Sequence, residues 1–142
     1  LAYLAEHPRD YANALRKLPR GLTLLFVHAL QAQIFNEVLS ERIKEGEITA
    51  GTASDEVGNL IGYESRLTER EREVLERHSL KPEYFKMPSM PELSSGGANR
   101  KVLVELKNFE FVQQEGKGIF RFELGAGSYA TIALREFVDS KN

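Results

Sequence analysis

LTLLFVHALQAQIFNEVLSERIK, residues 22–44, carries the strongest periodic pattern in the sequence. Its apolar residues recur every three or four positions, a spacing that places them on one side of an α-helix. The inward-facing set and its flanking residues are Val27, Leu30, Ile34, Val38, Phe26, Phe35, Leu39 and Ile43. Charged residues end the stretch, and Gly46 follows as a suitable cap. The pattern predicts a long, deeply buried helix from Leu22 to about Lys44.

Three amides and a histidine lie among the apolar residues of this stretch. Gln31, Gln33 and Asn36 carry amides, which we expect to bridge buried backbone groups, with contact to RNA as the alternative. His28 is expected to be a core histidine that bonds to a neighbour rather than a catalytic one.

A shorter helix is predicted before the long one. Tyr11, Leu15 and Leu18 share a helical face. Pro8 is tolerated in a first turn, and Pro19 ends the pattern. The prediction is a helix from about Pro8 to Leu18.

The middle of the sequence gives mixed signals. Residues 47–63 hold three glycines and little periodicity, which predicts short strands and loops. Thr68 and Glu71 have the spacing of a capping box, so a helix is predicted from Glu69 to about His78. Prolines and a Ser-Ser-Gly-Gly run make residues 81–99 mostly irregular, as a linker within the domain or a mobile surface loop.

The pattern changes at Arg100. Apolar and polar residues alternate over residues 102–111 and again over 119–124, with a glycine-bearing turn between them, which predicts a β-hairpin. Ser128 is placed to cap a last helix from Tyr129 to about Val138. Helices followed by a hairpin and a helix predict an α+β fold.

The composition limits the chemistry that this chain can support. Its 142 residues include 19 Lys and Arg against 21 Asp and Glu, and the net charge of −2 excludes the strongly basic footprint of a free-standing nucleic-acid binder. Cysteine does not occur in the sequence, which excludes disulfide scaffolds, cysteine-ligated metals and cysteine nucleophiles. His7, His28 and His78 are too far apart for metal-ligand spacing, so no metal site is expected.

The apolar runs and the first residues indicate the setting of the protein. The longest apolar run, Leu22 to Val27, is far shorter than the roughly 20 residues of a membrane span. The N-terminal sequence lacks the pattern of a signal peptide. We therefore expect a cytoplasmic protein without a membrane partner. Because residue 1 is Leu rather than Met, we expect the chain to be a fragment.

Three features near the end of the chain are candidates for binding. GAGS, residues 125–128, is suited to a flexible turn with a serine cap, or to an anion site at a helix start. Tyr129 is either a core residue or a ring that stacks on an unpaired base. Arg100 and Lys101 either contact phosphate or simply flank a strand.

Four blocks of sequence together resemble one family, the TruD-type tRNA pseudouridine synthases, and most closely their archaeal branch. The blocks occur in the family's order and span nearly the whole chain. They are LPRGLTLLFVHALQAQIFNEVLSERI (18–43), GNLIGYES (58–65), SMPELSSGGANRKVLV (89–104) and FELGAGSYATIALREF (122–137).

The resemblance implies an isomerase that acts on tRNA without a cofactor or metal. The family cleaves the N-glycosidic bond of a uridine, usually uridine 13, turns the base over and rejoins it through carbon. Its catalytic aspartate lies in a Gly-x-Lys-Asp motif, and this chain has no Lys-Asp pair. The resemblance therefore implies that none of the catalytic residues lies in this chain and that the missing N-terminal half of the same protein supplies them.

The resemblance also assigns roles to residues and domains. Tyr129, supported by Gly127 and Ser128, corresponds to the wall of the uracil pocket, while Arg100 and Lys101 are expected to contact RNA. Residues 1–99 correspond to the later part of the family's insertion domain, and residues 100–142 to the hairpin and helix of its catalytic domain. The alternative is a non-catalytic RNA-binding or protein-interaction module derived from the family. The oligomeric state is not predicted.

Overall fold

A computed structural model describes residues 2–49, 51–125, 128–135 and 137–138. The chain divides into unit 1, residues 1–52 and 57–100, and unit 2, residues 53–56 and 101–142. The helices and strands, in chain order, are α1 (Ala2–Glu6), α2 (Tyr11–Arg16), α3 (Arg20–Lys44), β1 (Val57–Ile61), α4 (Glu69–Arg77), β2 (Gly97–Lys101), β3 (Lys107–Gln114), β4 (Lys117–Glu123) and α5 (Ala130–Arg135). The α+β class is confirmed.

The predicted long helix is confirmed as α3, which ends with Glu45 as its C-cap and Gly46 in the left-handed region at φ 78°. Val27, Ile34 and Phe35 are buried on the side that packs against β1 and α4. The opposite side is less buried than predicted, because Phe26 is 56% exposed and Ile43 is 52% exposed. Periodicity indicates which side of a helix is apolar. The number of neighbouring elements decides how much of the helix surface is buried.

α3 is also the one helix in the described part of the chain that is long and apolar enough to cross a membrane, judged by length and composition alone. The core helix of a globular unit passes the same test. Gln31 bonds to Ile61, and α3 forms ion pairs with α4. These contacts fit a helix that packs against the rest of unit 1 on one side.

The first helical prediction is wrong at its start. The predicted helix from Pro8 to Leu18 is found as the shorter α2, and α1, which the sequence did not predict, precedes it. The backbone turns at Arg9, which has φ 74°, and Asp10 then caps α2 by accepting a hydrogen bond from the Asn13 N–H at 3.3 Å. An aspartate is a better cap than a proline-led first turn because its carboxylate satisfies a free backbone N–H.

The capping box before α4 is confirmed. Thr68 Oγ1 accepts from the Glu71 N–H at 3.3 Å, and the Glu71 carboxylate accepts from the Thr68 N–H at 2.8 Å. Val74 and Leu75 are buried as predicted, at 0% and 2% exposure. Two orphan backbone donors are thus satisfied while the apolar side of α4 packs against α3.

Residues 81–99 are mostly irregular, as predicted, but they pack into the core of unit 1 instead of forming a linker or a surface loop. They form two 3₁₀ turns, Pro82–Phe85 and Pro91–Leu93, and then enter β2. Phe85, Met90 and Leu93 are 2–5% exposed and belong to the core cluster that includes Ile34. The prolines begin the two turns, and the apolar residues pack into the core. A composition typical of a loop therefore does not show that this segment is packed.

Unit 2 contains the predicted β-hairpin. β3 and β4 pair antiparallel, with Phe111 opposite Phe120 and Val112 opposite Ile119. The turn has two residues, Glu115 and Gly116, both at positive φ (52° and 75°), as a type I′ turn requires. The paired arm begins at Lys107 and not near Val102, and the register shifts between Lys107 and Glu110. The alternation over residues 102–106 therefore overpredicts the first arm.

One face of the hairpin is aromatic. Phe137, which follows α5, places its ring 4.9 Å from that of Phe109 and 5.8 Å from that of Phe120. Phe111 lies 4.8 Å from Phe120 on the same face. Phe109 and Phe111 remain 41% and 52% exposed. Ring-on-ring contacts thus hold unit 2 together, although its aromatic side chains stay accessible.

An ion-pair network joins α3 to α4 in unit 1. Arg77 contacts Glu41 at 2.6 Å and Glu37 at 3.0 Å, and the His78 Nε2 atom lies 2.7 Å from the Glu37 carboxylate. The hydrogen bond with His78 is the main cause that lowers the pKa of Glu37 below its ordinary value. Glu37 therefore favours the folded state only while it is ionised.

We expect Glu37→Gln to lower the stability of unit 1 at neutral pH by up to about 1 kcal/mol, since the pair is part-exposed. The lowered pKa means that this contribution is fully present above the ordinary pKa of 4.5 and is lost as pH falls through the lowered value. Urea unfolding at pH 7 and below pH 4 should show the difference between wild type and variant shrinking in acid. Glu83→Gln, at an exposed glutamate with no ion pair among the described residues, is the control. A difference that stays constant with pH would contradict this account.

Candidate functional site

Tyr129 is 71% exposed, more than Ile132 and Phe137, the other exposed large apolar side chains of the C-terminal motif. Its backbone carbonyl accepts hydrogen bonds from the Ile132 N–H at 3.1 Å and the Ala133 N–H at 3.2 Å, so it stands directly before the first turn of α5. The possibility that Tyr129 is a core residue is wrong. Because the ring is exposed at the start of a helix, its aromatic face is accessible to a planar group such as a base.

The turn before Tyr129 is only partly described. The Ser128 N–H donates to the Gly125 carbonyl at 3.2 Å. The helix begins at Ala130, so Tyr129 and not Ser128 occupies the capping position. Gly127, the third residue assigned to the pocket, lies outside the described residues, as does Ala126 of the suggested anion site.

Arg100 and Lys101 lie at the end of β2, a strand whose five residues are all exposed. The Arg100 guanidinium lies 5.2 Å from the centroid of the Phe35 ring. Phe35 is 5% exposed and belongs to α3. A cation at this distance from an aromatic ring is held without losing its hydrogen-bond donors. Both cations of the strand are therefore exposed, and Arg100 is in addition held by its contact with the Phe35 ring.

Gln31 shows the structural role expected of an amide in α3. It is 4% exposed, and its Nε2 atom donates to the Ile61 carbonyl and to Ser95 Oγ, both at 2.8 Å. Gln33 and Asn36 are exposed and do not bridge buried groups of the described structure. His28 is also exposed, so its prediction as a core histidine is wrong. It lies on the uncovered side of the helix, which periodicity alone does not identify.

A comparison with protein families places the chain. The family described as tRNA pseudouridine synthase D (TruD) matches residues 1–59 and 50–137. The chain belongs to the TruD family. The resemblance seen in the four sequence blocks is therefore confirmed.

Relatives of this TruD-family chain occur in archaea. A protein of Methanopyrus kandleri, named as a probable tRNA pseudouridine synthase D, is 38% identical over 99% of the chain and 38% of its own length. A protein of Methanocaldococcus jannaschii with the same kind of name is 32% identical over 94% of the chain and 36% of its own length. The crystal structure of the Methanosarcina mazei protein called TruD is similar with a TM-score of 0.80 and 28% identity, covering 96% of this chain and 42% of that one. The chain thus spans about two fifths of the length of the relatives it matches.

Of the two aspartates of this TruD-family chain that the structure describes, Asp10 has a structural role. Asp10 accepts hydrogen bonds from Asn13 Nδ2 at 2.9 Å and from the Tyr3 hydroxyl at 2.8 Å. The bond from Asn13 is the main cause that lowers the pKa of Asp10. Asp55 is exposed, and Asp139 lies outside the described residues. Asp10 is thus used as a helix cap.

Two further findings concern possible ligands. No group of three or more His, Asp or Glu side chains among the described residues is placed to hold a metal ion. Unit 1 also contains an apolar cavity of about 220 Å³ that the sequence did not indicate. Its lining comes from α3, from the first 3₁₀ turn and from residues on either side of that turn. It consists of Phe26, Val27, Leu30, Leu80, Tyr84, Phe85 and Met87.

Proposed function

We propose that this chain is part of a tRNA pseudouridine synthase, an isomerase that converts uridine, expected at position 13 of tRNA, to pseudouridine. The observation that supports this most strongly is the family match together with the fold similarity of 0.80 over 96% of the chain. Uridine and pseudouridine are isomers, so cleavage of the N-glycosidic bond and formation of the carbon link balance without an external reactant. The proposal requires no cofactor or metal, and it places the protein in the cytoplasm.

The nucleophile is proposed to lie outside this chain. The reaction needs an aspartate at the flipped nucleotide, and no aspartate of the sequence follows a lysine. Asp10 caps α2 and is engaged with Tyr3 and Asn13. We therefore expect residues 1–142 alone to leave tRNA unmodified, and a preceding segment of the same protein to supply the catalytic group.

The chain is proposed to contribute contacts to the RNA. Tyr129 is exposed at the start of α5, and its ring is suited to lie against the target base. The family resemblance assigns Ser128 and Gly127 to the same pocket. Arg100 and Lys101 are suited to phosphate, since both are cationic and exposed on β2. Residues 1–99 would belong to the insertion domain of the family and residues 100–142 to its catalytic domain.

Expression of the complete open reading frame that contains these residues tests the proposal. The expected result is pseudouridine in a tRNA transcript at position 13, detected by carbodiimide labelling and primer extension. The complete protein is also expected to bind the transcript in a fluorescence anisotropy titration, whereas residues 1–142 alone are expected to leave it unmodified. A complete protein that binds tRNA without modifying it would instead support the non-catalytic RNA-binding alternative. One that does neither would support a protein-interaction module.

A further inference from the structure

Gln31 connects three separate parts of unit 1. Its amide nitrogen donates to Ile61, the last residue of β1, and to Ser95, two residues before β2. The remaining groups of Ser95 are also bonded: its N–H donates to the Phe85 carbonyl at 2.9 Å, and its carbonyl accepts from the Tyr63 N–H at 3.0 Å. Ser95 is therefore fixed from several sides, and Gln31 ties it to α3.

Phe35 lies one helical turn after Gln31, on the same side of α3. The two side chains are 4% and 5% exposed and contact opposite ends of the segment that leads through β2. Gln31 holds Ser95 before the strand, and Phe35 lies under the Arg100 guanidinium near its end. α3 thus sets both the position of the strand and the place where its cation stands.

We propose that Gln31 is a positioning residue for RNA binding, which acts through Ser95 and β2 to hold Arg100 over Phe35 so that the guanidinium meets an RNA phosphate. The inference rests on the proposed function, because it takes the phosphate contact of Arg100 from there. Replacement of the amide by an apolar group leaves the Ile61 carbonyl and the Ser95 hydroxyl without their buried donor. The backbone hydrogen bonds of Ser95 remain, but its side chain loses the tie to α3. Arg100, at the other end of the segment, is then held less firmly over Phe35.

The salt dependence of tRNA binding tests this role, because the number of phosphate contacts sets the slope of log Kd against log salt concentration. Arg100→Ala in the complete protein is expected to reduce that slope by about 0.7–0.9. Gln31→Met, which keeps the length of the side chain, is expected to weaken binding and to reduce the slope by the same amount. In the double variant the slope should equal that of Arg100→Ala, because the two residues act on one contact.

Val74→Ala is the matched control, since Val74 is fully buried and lies on α4 rather than on the segment that leads through Ser95 and β2. It is expected to lower stability while leaving the slope unchanged. Ser95→Ala, which removes only one of the two acceptors of Gln31, is the milder second variant should Gln31→Met fail to fold, and it should also reduce the slope. A wild-type slope in Gln31→Met and Ser95→Ala with a reduced slope in Arg100→Ala would overturn the positioning role alone. A wild-type slope in Arg100→Ala would overturn the phosphate contact and the positioning role together.

Discussion

Gly62→Ala is expected to abolish the cooperative folding of unit 1 or to lower its stability by at least about 3 kcal/mol. A Cβ atom at position 62 would overlap the Gly97 nitrogen, the Ser95 oxygen and the Gly96 carbonyl carbon. All three are backbone atoms, which a rotamer change cannot move away. The backbone segments on either side would have to separate, and the hydrogen bonds from Tyr63 N–H to Ser95 and from Glu64 N–H to Gly96 would break.

Urea unfolding followed by circular dichroism measures this effect, and hydrogen exchange at the Tyr63 and Glu64 amides locates it. Gly21→Ala is the control, because a Cβ there meets nothing within 4 Å and the residue lies in α3. That variant is expected to gain about 0.4–1 kcal/mol from the reduced flexibility of the unfolded chain. A Gly62→Ala protein that unfolds at the wild-type urea concentration would contradict the close crossing of the two segments.

Local patterns are sufficient to predict the elements whose stability is local. The spacing of apolar residues in α3 and the Thr68–Glu71 capping box each describe interactions between residues no more than four apart, and both are present. The two-residue turn of the hairpin is recognisable for the same reason. Glycine at position 116 adopts positive φ at little cost, which brings Phe111 opposite Phe120.

Features that depend on distant partners cannot be predicted in the same way. Gln31 finds its two acceptors 30 and 64 residues further along the chain. The burial of Phe85 and Leu93 depends on α3, and nothing in their proline-rich surroundings indicates it. The prediction for His28 fails because its neighbours in sequence are apolar while its side of the helix is exposed.

The candidate site shows the same division. The sequence alone leaves Tyr129, Arg100 and Lys101 as candidates with structural alternatives, because one tyrosine and two basic residues have no spacing that specifies RNA. The resemblance to the family is what favours RNA contact. The structure adds what the sequence lacked, which is that Tyr129 is exposed and that Arg100 stands over Phe35. The periodicity of a sequence reflects packing within its own chain. It therefore does not indicate which exposed side chains contact another molecule.

Tyr129→Ala in the complete protein is expected to lower pseudouridine formation by about tenfold or more while leaving the unfolding transition unchanged. Stacking of a base on an aromatic ring is worth about 1–3 kcal/mol, which corresponds to roughly 5- to 150-fold in rate or affinity. The ring is 71% exposed, so it contributes little to the folded state that its removal could destabilise. Primer extension after carbodiimide labelling gives the rate, and urea unfolding gives the stability.

Two further variants separate the contributions of the tyrosine. Tyr129→Phe retains the ring, so a rate near wild type would assign the effect to stacking, while a rate as low as that of Tyr129→Ala would assign it to the hydroxyl.

Tyr11→Ala is the matched control, because Tyr11 is 64% exposed on α2 and has no proposed role in binding. Wild-type activity in Tyr129→Ala would show that the ring does not touch the uridine. Equal losses in Tyr129→Ala and Tyr11→Ala would mean that removal of any exposed tyrosine impairs the enzyme, and the pocket assignment would fail. A loss in Tyr129→Ala that neither Tyr129→Phe nor Tyr11→Ala shows would place the aromatic ring at the reacting base, because stacking acts only on a group in direct contact.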